Sequence, residues 1–335
     1  IYFYLGILMY LKEERFALWA DFIERDYLDN EFKTLIEKGI IYGATSNPAI
    51  FKSAILTSPA YKRQLAELDG LDAKAKYEAL AIFDIQKAAD ILRPLYDAGE
   101  DGYVSIEVDP MLCDDAEGTI DEGRRLHKTI GSPNVMIKVP ATEAGYVAMK
   151  TLVGDGIAVN ATLVFSKEQA LSSAEAFDAG QKESGTSVDT VISVFVSRID
   201  RAMDAELSEK GIAPALAGNY NAAAIYSAIE AKGVPRCRTL FASTGVKGDD
   251  LRPSYYIDEL LAAHSVNTAP VETIDAFVKG GDKVIKLPID AAIIDAHFAK
   301  IKEAGIDFDA VVAKQISDGL DAFKEAFREI LSELE

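Results

Sequence analysis

NVMIKVPATEAGYVAMKTLVGDGIAVNATLVFSKEQALSSAEAFDAG, residues 134–180, is the stretch whose reading decides the fold. It holds two apolar runs, NVMIKV (134–139) and IAVNATLVF (157–165), each rich in Val and Ile. Runs that are apolar on both faces read as strands buried on both sides, as in a parallel sheet. After the second run, SKEQALSSAEAFDAG (166–180) opens on Ser166, a candidate N-cap, and closes on Gly180, which marks a helix. Working outward, the same alternation continues in both directions. Upstream lie ALWADFI (17–23), IIYGATS (40–46) and YVSIEV (103–108); downstream lie TVISVFV (190–196), RTLFAS (238–243) and the weaker HSVNTA (264–269). DDAEGTIDEGRRLHKTIG (114–131) begins with acids and ends in basic residues and Gly, and SYYIDELLAAH (254–264) has helical apolar spacing.

Eight candidate strands alternating with helices predict an α/β fold, a (β/α)8 TIM barrel. A doubly wound open sheet is the alternative, but no GxGxxG turn follows an early strand. Residues 52–98 and 200–235 are too long for single crossovers and are expected to be helical insertions. Residues 289–335 are expected to form a helical extension packed across the barrel. Residues 9–335 therefore read as one barrel domain. IYFYLGILMY (1–10) is apolar, has no basic leader and is too short to span a membrane. Residues 1–8 read as a non-native or disordered leader, with Met9 as the start; a truncated signal peptide is the alternative.

The chain of 335 residues is 49% hydrophobic and carries a formal net charge of -19. Such acidity disfavours nucleic acid and anionic membrane as partners, yet a few cations gathered in one cleft can still hold a small phosphorylated ligand. Cys113 and Cys237 form no CxxC pair, which fits a reducing cytoplasm. His127, His264 and His297 are not at metal-ligand spacing, so no metal is expected. The exposed faces of the barrel helices cannot be ranked, so the oligomeric state stays open, a homodimer included.

In a barrel of this kind, polar residues at the C-terminal strand ends converge on one cleft. Lys138 lies among Val and Ile in NVMIKVPAT. Desolvation there should lower its pKa and free a lone pair for attack on a ketone; alternatively it is a strand-end lysine whose ammonium reaches solvent. Lys286, in VIKLP (284–288), has the same local pattern, but charged Asp282 and Lys283 precede it, and a solvated turn is expected there. Glu107 and Asp21 are the candidate acid/base pair, and Thr162 could hold a water for proton relay; the other reading is that such acids merely pair with nearby cations. For Asp109 that pairing is expected. Asn47, fixed by Pro48, either presents its amide to a substrate hydroxyl or caps the next helix. Arg198, Ser243 and Lys247 either form a phosphate site or stand as solvated surface groups.

These segments together resemble the transaldolase family. GATSNPAIF (43–51) is similar to its first signature and VMIKVPATEAG (135–145) to its second. SIEVD (105–109), NATLVFS (160–166), SVFVSRID (193–200), FASTGVK (241–247) and SVNTAP (265–270) match further blocks in the same order. The resemblance implies a Schiff base on Lys138, with Glu107 acting through a water that Thr162 helps to hold. It implies that Asp21 takes the proton from the hydroxyl at the bond cleaved. Asn47, Asn160 and Ser193 are implied to bind the dihydroxyacetone unit, and Arg198 and Ser243 the phosphate. Some members carry an arginine where this chain has Gly245, and Lys247 is expected to replace it.

The expected activity is cofactor-free transfer of dihydroxyacetone from sedoheptulose 7-phosphate to glyceraldehyde 3-phosphate, a step of the non-oxidative pentose phosphate pathway. A fructose 6-phosphate aldolase would release dihydroxyacetone instead, and a non-catalytic barrel would bind sugar phosphates without turnover. Product analysis with and without an acceptor separates these three.

Overall fold

The structure, a computed structural model, describes residues 11–335. The expected leader at residues 1–8 lies outside the described residues.

All eight apolar runs form strands: β1 (Ala17–Ala20), β2 (Gly43–Thr45), β3 (Tyr103–Glu107), β4 (Val135–Pro140), β5 (Val159–Val164), β6 (Thr190–Phe195), β7 (Cys237–Ala242) and β8 (Ser265–Ala269). They pair in chain order into a closed parallel barrel, and β1 returns to β8 with Ala17 opposite Val266. The expected TIM-type (β/α)8 architecture is therefore the one observed. Every strand is buried along its whole length, which explains why these segments read as continuous apolar runs rather than alternating ones.

The barrel interior is filled from below. Trp19, Tyr103, Met136, Val191, Leu240 and Val266 belong to one buried cluster. Trp19 takes the space beside Gly43, its register partner on β2; a Cβ there would sit 2.7 Å from the indole ring. The indole N–H donates to Asp101 Oδ2 at 3.0 Å, and Arg238 donates to Asp101 Oδ1 at 2.6 Å. Asp101 precedes β3, so this network closes the N-terminal end of the barrel. Polar chemistry is left to the C-terminal mouth. The outer faces of the strands and the inner faces of the helices form the larger apolar cluster. Each fully buried Ile, Leu or Val there contributes about 1.5–3 kcal/mol relative to exposure.

The start signals at Asp115 and Ser166 and the stop at Gly131 are realised, but Gly180 does not end its helix. That helix runs on to Ser184 with Gly185 as its cap, and Gly180 instead allows close packing, since a Cβ there would collide with the Lys150 carbonyl oxygen. Asp115 caps the Ala116–Ile130 helix, which stops at Gly131 in the left-handed region with φ 70. Ser166 and Gln169 form a capping box at the start of the Lys167–Ser184 helix. The helix expected over 254–264 is shorter than its apolar spacing suggests, running only Tyr255–Glu259. The carbonyl of Leu261 instead accepts from the N–H groups of Lys286 and Leu287, and Ala262 bridges Leu287. A long-range pairing has replaced the last helical turn.

The 52–98 insertion includes the Lys62–Glu67 and Ala73–Asp97 helices, and the 200–235 interval holds most of the Ser197–Glu209 and Ala217–Lys232 helices. The last two helices are Ala291–Glu303 and Phe308–Leu334. The Phe308–Leu334 helix crosses the mouth of the barrel. Phe327 packs edge-on against Tyr77, with ring centroids 5.2 Å apart, and Glu329 pairs with Lys52. Gly319 permits close approach: a Cβ there would lie 3.2 Å from Leu163 and 3.4 Å from Phe165.

Candidate active site

Glu107 and Lys138 occupy the same register position on neighbouring parallel strands, so both project to the same side of the sheet. Glu107 Oε2 lies 3.5 Å from Lys138 Nζ. The two residues are only 8% and 4% exposed. Lys138 Nζ donates to the carbonyl of Ser46 at 3.1 Å, and the Phe323 ring lies over it with its centroid 5.7 Å away. Burial pushes the Glu107 carboxyl up to about 7, against the opposing charge and hydrogen bond of Lys138 and with a smaller contribution from the charge of Asp21. Both Glu107 oxygens and the Thr162 hydroxyl are buried with no aligned protein hydrogen-bond partner. A cavity of about 10 Å³ beside Glu107, lined in part by Tyr77 and Phe327, is the size of one water.

Across the mouth, Thr45 donates to Asp21 Oδ1 at 2.7 Å, and its hydroxyl oxygen lies 2.6 Å from that of Thr268. With Asp21 ionised, the single Thr45 proton goes to the carboxylate, so Thr268 must donate to Thr45. Burial raises the Asp21 carboxyl above its ordinary range, opposed by the charge of Lys138 and the Thr45 hydrogen bond. One layer deeper, Ser193 donates to Asn160 Oδ1 at 2.6 Å and Asn160 donates to Ser105 at 3.1 Å. This buried chain pins the Asn160 amide.

A cleft of about 190 Å³ opens above these layers. It is lined by Asp21, Asn47, Lys138, Ser193, Arg198 and Ser243, together with Thr45, Thr268, Phe195 and Phe323. Asn47 has a double role. Its Oδ1 accepts from Ile50 N as the cap of the Pro48–Thr57 helix, which leaves its amide N–H groups for the cleft. Arg198 is half-buried, stacks on Phe195 at 5.3 Å and, among the described residues, pairs with no carboxylate. Ser243 and Ser197 hydroxyls lie 3.1 Å apart, and Arg201 donates to Ser197.

Glu107, Asn160 and Thr162 are buried and are not among the residues lining this cleft. Lys247 is exposed and lines an adjoining cavity with Ser197 and Arg201. Asp109 pairs with Lys74 at 2.6 Å, as expected of it. Lys286 is held by Asp282 at 3.0 Å and Glu259 at 3.3 Å, and it lines no part of the cleft. The two lysines that look alike in sequence are thus distinguished by their surroundings.

Phe323, Thr268 and Ser105 were not picked out from the sequence as site residues. Ser105 and Thr268 lie inside β3 and β8, and inward parity with Glu107 is the sequence signal that marks Ser105. Phe323 carries no local signal, because its face of the last helix is apolar like any core-facing stripe. Among the described residues, no three His, Cys, Asp or Glu side chains are grouped to hold a metal ion. No helix there is long and apolar enough to cross a membrane.

A family model described as Transaldolase/Fructose-6-phosphate aldolase matches residues 18–334. A protein named Transaldolase from Campylobacter jejuni subsp. jejuni is 46% identical over 332 residues, covering 96% of this chain and all of the relative. Another of that name from Helicobacter pylori is 44% identical over 321 residues, covering 95% of this chain and 99% of the relative.

Proposed function

The chain belongs to the transaldolase/fructose-6-phosphate aldolase family, and from that premise we propose that it is a transaldolase working through a Schiff base on Lys138. Dihydroxyacetone would be taken from sedoheptulose 7-phosphate and given to glyceraldehyde 3-phosphate, yielding erythrose 4-phosphate and fructose 6-phosphate. The observation that carries this reading is the buried Lys138–Glu107 pair opening onto a cleft that also holds Asp21 and Arg198. The full-length relatives named Transaldolase favour transfer over simple release.

The chemistry follows from the groups in place. The neutral Lys138 amine attacks the donor carbonyl, and Glu107 shuttles protons as the carbinolamine loses water. The short reach from Glu107 to Lys138, and the unpartnered Thr162 hydroxyl nearby, suit a relay through one ordered water. Asp21 then takes the proton from the hydroxyl next to the bond that breaks. The electrons of that bond flow into the protonated imine, leaving an enamine that attacks the acceptor aldehyde. Asn47 N–H groups and Ser193 would hold the three-carbon unit with Asn160 bracing Ser193, and Arg198 with Ser243 would hold the phosphate. Lys247 would act at the rim. The enzyme would work in the cytoplasm on small sugar phosphates, with a homodimer as the assembly to test.

The deciding experiment is borohydride trapping with fructose 6-phosphate followed by peptide mass spectrometry. A reduced three-carbon adduct is expected on Lys138. An adduct on Lys286, or none in folded protein, sinks the proposal.

Glu107 also predicts a pH dependence. With its carboxyl pushed up to about 7, acidification below that value protonates Glu107, which then cannot accept the proton released as the amine attacks the carbonyl. kcat/KM should therefore fall on the acid side with an apparent value near 7. The Glu107→Gln variant should be slower by about 10²–10⁴-fold and lose this acid limb. An unchanged limb in the variant would assign the titration elsewhere.

A further inference from the structure

Transfer requires that the enamine on Lys138 outlive the departure of the first aldose. Two fates compete for it. Attack on an acceptor aldehyde completes transfer. Alternatively, the enamine carbon takes a proton, water adds to the resulting iminium carbon, and collapse frees dihydroxyacetone and the Lys138 amine. Whatever controls water above Lys138 therefore sets the balance between the two.

The wall above Lys138 is supplied by the Phe308–Leu334 helix. Phe323 is 5% exposed, lines the cleft beside Ala322 and places its ring over Lys138 Nζ with the centroid 5.7 Å away. It shares an apolar cluster with Leu163, Phe165 and Phe195. The helix is seated firmly around this point. Gly319, one turn earlier, lets it press on Leu163, Phe165 and the Arg198 guanidinium. Phe327, one turn later, is locked edge-on by Tyr77. Lys76 Nζ donates to the carbonyl of Leu334 at 2.8 Å. A ring so held is preorganised rather than free to swing.

We infer that Phe323 is the residue that determines transfer over release, by covering the Lys138 adduct with an apolar face. This rests on the Schiff-base reading of the site. Two physical effects separate by substitution. The apolar wall excludes water from the reactive intermediate. The ring face attracts a cation at this distance, which favours the iminium over the neutral amine. Leu keeps the first and removes the second; Ala removes both.

The test uses the full chain loaded with fructose 6-phosphate. Dihydroxyacetone release without acceptor is compared with transfer to erythrose 4-phosphate, and adduct yield at Lys138 is read by borohydride trapping. Phe323→Ala should raise the ratio of release to transfer by about tenfold or more while still forming the Lys138 adduct. Phe323→Leu should leave the ratio within about threefold of the parent but form the adduct more slowly. Since a buried Phe→Ala change can weaken folding, Phe323→Val, shorter but still apolar, should shift the ratio in the same direction. A parent-like ratio in folded Phe323→Ala or Phe323→Val, with the adduct formed, overturns the role of Phe323. Absence of the adduct in the parent overturns the Schiff-base reading instead, and the inference with it.

Discussion

Replacing Lys138 with Met is expected to lower turnover by about 10⁴-fold or more, the scale seen when a covalent nucleophile is removed. Lys138 is the amine over which the cleft is built: it sits 3.5 Å from Glu107 and donates to the Ser46 carbonyl. Lys286 cannot stand in, because Glu259 and Asp282 hold it outside the cleft. The protein should remain folded. Removing one partner of a buried pair can cost about 3–5 kcal/mol, but Glu107 already titrates at about 7 and escapes by taking a proton. In the variant, without the lysine charge, its folded value moves higher still, above that of the unfolded chain. The variant should thus be most nearly parent-like at low pH and lose stability as pH rises through that folded value. Melting temperatures at pH 6 and pH 8 check this, and a steady-state assay checks the rate. Turnover within an order of magnitude of the parent would remove Lys138 from the mechanism.

Asp21→Asn is expected to separate bond formation from bond cleavage. Its Oδ1 accepts from Thr45 in a chain that continues to Thr268. An asparagine oxygen can accept the same hydrogen bond, so the geometry survives while the base is lost. Turnover should fall by about 10²–10⁴-fold. The Schiff base should still form, since Glu107 and Lys138 are untouched. Borohydride should then trap the whole six-carbon sugar phosphate on Lys138, where the parent yields the three-carbon fragment. A three-carbon adduct in Asp21→Asn, formed as fast as in the parent, would show that another group takes the hydroxyl proton.

The Asp21 and Glu107 variants would separate what each carboxylate is asked to do. Both acids are raised by burial and both feel Lys138, yet they stand at different places. Glu107 is buried next to the amine and a water-sized cavity and does not line the cleft. Asp21 is on the wall, facing the cleft and oriented by hydroxyls. Proton traffic during imine formation and proton removal from the sugar chain are separate tasks. On the proposed mechanism they would fall to these two separate strand ends.

All eight strands and the helix caps at Asp115 and Ser166 were legible in the sequence because they depend on local chemistry. Apolar runs of β-branched residues bounded by Gly, Pro and Asn make strands almost wherever a core can cover them. A Ser or Asp at a helix start satisfies donors within three residues. Lys138 and Glu107 are legible for a related reason: a charge set among Val and Ile in a buried strand is costly, and that cost, like the interruption of an apolar run by Asp21, is visible one residue at a time. What no local reading supplies is which surfaces meet. The 254–264 helix ends at Glu259 because residue 261 pairs with a segment some 25 positions later. Lys138 and Lys286 share their local apolar pattern, and beyond the nearby Asp282 what separates them is their neighbours across the fold. Phe323 reaches Lys138 from 185 positions away along the chain, through a helix whose apolar stripe fits many partners equally well. Composition and periodicity determined the barrel and its chemical inventory. Closing that barrel, and laying the last helix over its mouth, decided which of those groups share a cleft, because burial and distance belong to pairs of residues and exist only once the chain has folded.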